Sequence, residues 1–146
     1  MVAFSLNAYS RYQSKMSDAM EQSVKQAETV LDATFEALIP SNSEEDLMMI
    51  FYDYKSIKKI DNKRRIWSYS MSSSGDVIKG RISNLSHLYF EFDCIDSNKI
   101  LSTVFYEGYS KDKVIIALDT ADIQKDGKDI IIPDSLQDYV QKKICR

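Results

Sequence analysis

A chain of 146 residues holds one ordinary domain, and its 44% hydrophobic and 28% charged residues exclude disorder and a coiled-coil rod. A net charge of −3, from 19 Lys+Arg against 22 Asp+Glu, argues against a surface built wholly for nucleic acid. Four Gly and two Pro leave little room for a phosphate-cradling loop, while nine Tyr and six Phe supply apolar area for a core.

Tyr9, Tyr12, Met16, Met20, Val24, Ala27, Leu31, Phe35 and Leu38 recur every three or four positions. This spacing predicts one long helix over the first forty residues, closed at Pro40. Such a helix either spans the sheet of its own domain or forms a homodimer seam with a copy of itself. Leu47 to Tyr54 is apolar at alternating and intervening positions, as in a central strand covered on two sides. Asp61-Asn62-Lys63 reads as a hairpin turn, and Trp67, Tyr69 and Met71 then share one face of the next strand.

Ser72 to Asp76 reads as a polar loop and Val77 to Ile82 as a short strand. Leu88, Phe90, Phe92 and Cys94 alternate with Tyr89, Glu91 and Asp93, the pattern of a half-buried strand. Ile100 to Tyr106 and Val114 to Leu118 form an antiparallel pair across Ser110-Lys111-Asp112. A weaker hairpin turns at Asp126-Gly127 into Ile130 to Ile132, closed by Pro133. Ser135 with Asp138 resembles a capping box, and Leu136, Tyr139, Val140 and Ile144 form the stripe of a short final helix.

The expected fold is α+β. A long N-terminal helix (1–40) and a short C-terminal one (134–146) gather on one face of a mostly antiparallel sheet of six or seven strands (47–132). Phe35, Leu38, Trp67, Tyr69, Phe90 and Phe92 are expected to meet in one helix–sheet core.

Chemistry is sparse. His87 is the lone histidine, and no G-x-S-x-G accompanies it. Cys94 lies over ~20 Å further along an extended strand, so a Cys/His pair would form only if the chain bends between them. Glu91 and Asp93 share a strand face about 7 Å apart, a spacing that fits a cation or an acid/base pair but also an ordinary solvated face. No cofactor motif and no metal-ligand spacing appears, so catalysis is not expected. Cys94 and Cys145 make neither a disulfide framework nor a zinc set. Met1 to Ala8 does not read as a signal peptide, and no apolar run reaches the roughly 18 to 20 residues of a membrane span. A cytoplasmic protein with reduced thiols is expected.

Charge is unevenly spread. Six bases and one acid lie between Lys55 and Arg65, near Tyr54, Trp67 and Tyr69, which admits a single-strand nucleic-acid grip. Because the alternation turns Trp67 and Tyr69 to an apolar face, a charged hairpin tip that protects a sheet edge is the plainer reading. From Asn84 to Asp138 eleven acids face five bases. That acidic flank predicts a binding protein, in first place an immunity-type inhibitor that occludes the basic active site of a bacterial toxin. Glu91, Asp93, Asp96, Asp119 and Asp122 are its candidate contacts. The alternatives are a dimeric secretion chaperone for an effector protein and a small nucleic-acid-binding module.

Overall fold

The computed structural model describes residues 17–40, 47–119, 129–131 and 133–146. In chain order these form α1 (Asp18–Leu31), β1 (Thr34–Pro40), β2 (Leu47–Ile60), β3 (Lys63–Ile78), β4 (Arg81–Asp93), β5 (Ser97–Glu107), β6 (Val114–Asp119), β7 (Asp129–Ile130) and α2 (Leu136–Ile144). Strands β1 to β6 lie side by side in sequence order as an antiparallel meander, and β7 pairs with the first residues of β5.

The long N-terminal helix is not formed. Ser17 caps α1 by accepting from the Met20 N–H at 3.3 Å, and the helix stops at Asp32, whose φ of 51° is left-handed. Phe35 and Leu38 extend the helical spacing, yet they stand on β1. The physical reason lies between them: Glu36, Ala37, Leu38 and Ile39 are all buried in succession. A surface helix buries one stripe, whereas a strand covered on both sides buries every residue. Residues 1–16, which carry the first part of the predicted helix, lie outside the described residues.

The polar loop at Ser72–Asp76 is also corrected. β3 runs on through it with a register shift between Met71 and Asp76, and the chain reverses only at Lys79-Gly80, both at positive φ. Val77 and Ile82 are therefore cross-strand partners rather than the ends of one strand. Gly75 is required in this stretch: its φ is 65°, and a Cβ there would stand 2.6 Å from the Ser83 carbonyl oxygen.

The two helices lie on opposite faces and towards opposite ends of the sheet, not together on one face. Val24, Ala27 and Leu31 of α1 pack on Phe51, Tyr69, Met71 and Leu85. Leu136, Val140 and Ile144 of α2 pack on Ala37, Ile39, Ile50, Tyr52, Ile66, Phe90 and Phe92. The single core expected of the aromatic residues is thus divided. Tyr69 belongs to the α1 side, Phe90 and Phe92 to the α2 side, and Trp67 is half-buried. The predicted hairpin at Asp126-Gly127 lies outside the described residues.

Because each helix covers only part of its face, two surface regions stay open. On the α1 side the rings of Tyr69, His87, Trp67 and Tyr89 form a continuous stack, with successive centroids 4.1, 4.1 and 4.6 Å apart. On the α2 side Ser68, Ser70, Ser86 and Thr103 line a shallow cavity of about 290 Å³ with Met48, Leu88 and Phe105.

Candidate functional site

Three segments far apart in sequence converge at one corner of the sheet. The β2–β3 hairpin turns at Asp61, whose φ of 51° supplies the left-handed residue that a tight hairpin needs. The Asn62 carbonyl accepts from the Cys94 N–H at 2.8 Å, which docks the β4–β5 turn against the hairpin tip. The Gln141 side-chain amide donates to the Asp93 carbonyl, and Arg64 Nε donates to the Ile144 carbonyl at 3.3 Å, so the end of α2 closes the corner.

Cys94 and Cys145 then join the turn to the C-cap of α2 as a disulfide, with Cα atoms 5.5 Å apart across 51 residues. Neither cysteine is a free thiol. The expectation of reduced, separate cysteines fails because spacing along the chain says nothing about which elements a sheet brings together.

Glu91 organises the charge. Its Oε2 accepts from Arg65 Nε at 2.9 Å, while Lys99 and Lys63 approach Oε1 at 3.0 and 3.7 Å. The register explains the cluster, since Arg65, Glu91 and Lys99 lie directly opposite one another on three adjacent strands. Burial alone would raise the carboxyl's pKa. Hydrogen bonds from Arg65 and Lys99 and the charges of Lys99 and Lys63 outweigh it and hold Glu91 below its ordinary value.

The predicted acidic contacts are therefore not one surface. Glu91 is 3% exposed and turned to the protein's own cations. Asp93 is half-buried opposite Lys63, and its carboxylate accepts from the Ile95 N–H at 3.0 Å. Asp96 is exposed in the same turn. Asp119 is exposed on β6 opposite Thr103, away from the corner, and Asp122 lies outside the described residues.

What the corner presents is mainly cationic. Lys58 and Lys59 pair with Arg65 and Arg64 on the hairpin, and Arg146 follows the end of α2, where Lys142 is paired with Asp138 and Lys143 with Glu36. Two large apolar side chains stand out among these charges. Ile95 is 78% exposed on the β4–β5 turn and Ile60 is 38% exposed at the hairpin tip.

A second polar cluster on the α2 side has no counterpart in the sequence reading. Glu36, nearly fully buried at a bulge in β1, accepts from the Tyr54 hydroxyl and from Lys143 Nζ at 3.3 Å. Lys143 also lies 4.3 Å from the centre of the Tyr54 ring. Burial raises the pKa of Glu36 more than Tyr54 and Lys143 lower it. The only available signal was one glutamate inside an apolar run.

His87 is stacked between Trp67 and Tyr69, and Cys94 is held in the disulfide. Among the described residues no three His, Cys, Asp or Glu side chains gather as metal ligands. Nor is any helix among them long and apolar enough to cross a membrane. No family model, curated protein or solved structure matches the chain.

Proposed function

We propose that this chain is a binding protein that recognises an acidic surface of a protein partner through the corner built by the β2–β3 hairpin, the β4–β5 turn and the end of α2. The observation that carries this reading is Glu91: one buried carboxylate gathers three cations and leaves a positive surplus in fixed positions. Ile95 and Ile60 favour a protein over a bare polyanion, because exposed apolar side chains beside a charged patch are the composition of a protein interface. The disulfide supports work in a compartment where thiols are oxidised.

The immunity-type inhibitor is the second reading, favoured by the exposure of Asp96 and Asp119. One experiment separates the two. The partner captured from the source cell is tested against Lys58→Glu with Lys59→Glu and, separately, Asp96→Lys with Asp119→Lys. Loss of binding with the basic reversals, together with weakening in high salt, is expected. Loss with the acidic reversals alone would overturn the basic-corner reading and put the inhibitor first.

A further inference from the structure

Strand β6 closes one side of the sheet, and among the described residues no strand lies beyond it. Among the described residues its outer backbone groups meet no further strand, the kind of template on which another strand adds. Natural edges are guarded by proline, by charges within the strand or by burial. Val114-Ile115-Ile116-Ala117-Leu118 contains neither proline nor charge. Val114, Ile115 and Leu118 are 46, 55 and 69% exposed. The opposite edge differs: β1 is buried from Glu36 to Ile39. Two guards are present, the charge of Asp119 at the strand's last position and a bulge in which Ile116 is the extra residue against β5, and they leave Val114, Ile115 and Leu118 open.

The ends of the strand decide what fits. Lys113 precedes the apolar run and Asp119 closes it, so the segment carries opposite charges at its two ends. Laid against itself in parallel, like charges meet. Laid antiparallel about a two-fold axis at Ile116, Lys113 faces Asp119 at both ends and Val114 faces Leu118. The segment is complementary to its own reverse, which is what an isologous contact requires. Lys113 Nζ lies 5.0 and 5.1 Å from the ring centres of Tyr106 and Tyr69.

We infer that β6 is a homodimer edge, where two copies pair antiparallel and join their sheets into one continuous sheet. The contact lies at the far end of β5 from the Cys94–Cys145 corner, so it leaves that corner free and does not depend on the function proposed for it.

The test is light scattering of the oxidised full chain over a dilution series from near-millimolar to micromolar. A concentration-dependent dimer is expected. Ile115→Lys and Leu118→Lys should each raise the concentration at which it forms by about tenfold or more, because each puts a charge into an apolar cross-strand pair. Val77→Lys, at a residue 75% exposed on β3, should leave the equilibrium unchanged. Unaltered denaturation midpoints would show that the variants fold. A monomer at every concentration overturns the inference, and so does a dimer that survives Leu118→Lys.

Discussion

Arg65 and Glu91 face each other across β3 and β4, the guanidinium Nε 2.9 Å from a carboxylate that is almost fully enclosed. Removing that carboxylate's charge leaves Arg65, Lys63 and Lys99 crowded together without their common partner. Glu91→Gln should cost about 2 to 3 kcal/mol, below the range for a fully buried pair because the cations keep part of their hydration. Since the folded carboxyl holds its proton less tightly than the unfolded one, its contribution is present above the ordinary value of 4.5 and fades as the pH falls. Chemical denaturation at neutral and acid pH should show the gap between wild type and variant closing on acidification. A gap that stays constant would mean that Glu91 acts through shape rather than charge.

Much of the sheet was legible because period-two patterns are local. Trp67, Tyr69 and Met71 do share a face, the Thr103 to Tyr106 part of the Ile100–Tyr106 run does pair with the strand that follows, and Ser135 does cap the last helix by accepting from the Asp138 N–H. The errors arose where a local pattern served two structures. Phe35 and Leu38 are three apart in a helix or a strand, and only burial of Glu36 between them decides. The site was less legible still. Glu91 reads as solvent-facing until the register sets Arg65 and Lys99 on either side, and register is a long-range property. The meeting of Cys94 with Cys145 is of the same kind.

The disulfide closes a span of 51 residues, which in the chain-entropy account constrains the unfolded state by about 4 kcal/mol. Cys145→Ser, or reduction of the wild type, should lower stability by up to about that amount, and the variant should no longer respond to reductant. The accompanying check is thiol titration of the unreduced chain under denaturing conditions. Two free thiols per chain would sink the pairing itself.

Phe92 is fully buried in the α2 core beside Phe90, with ring centres 5.9 Å apart. Phe92→Ala should cost about 3 to 5 kcal/mol, enough to unfold much of a marginally stable domain. Trp67→Ala, on the half-covered face, should cost clearly less because its ring is only partly removed from water. Equal losses in urea denaturation would mean that the two faces are not covered as unequally as the helices imply.

His87 offers a pH test of the aromatic stack. Burial, assisted by the charge of Lys113, lowers its pKa from 6.5 to about 4, so the folded state holds the neutral ring. The sign follows from proton counts. Between those two values the unfolded chain binds a proton that the folded one refuses, so stability is complete above pH 6.5 and is lost as the pH falls towards 4. The full difference is at most about 3 kcal/mol. Glu91 loses stability in the lower part of this window as well, and Glu36, whose folded pKa is raised, works in the opposite direction. The wild-type curve alone is therefore a mixture. His87→Phe keeps a ring between Trp67 and Tyr69 but has no proton to gain, so subtracting its curve from the wild type isolates the histidine. Urea midpoints measured from pH 7.5 to pH 4, an interval of about 3.5 units chosen to span the transition, should fall more steeply for the wild type than for His87→Phe. Parallel curves would place His87 in water rather than within the stack.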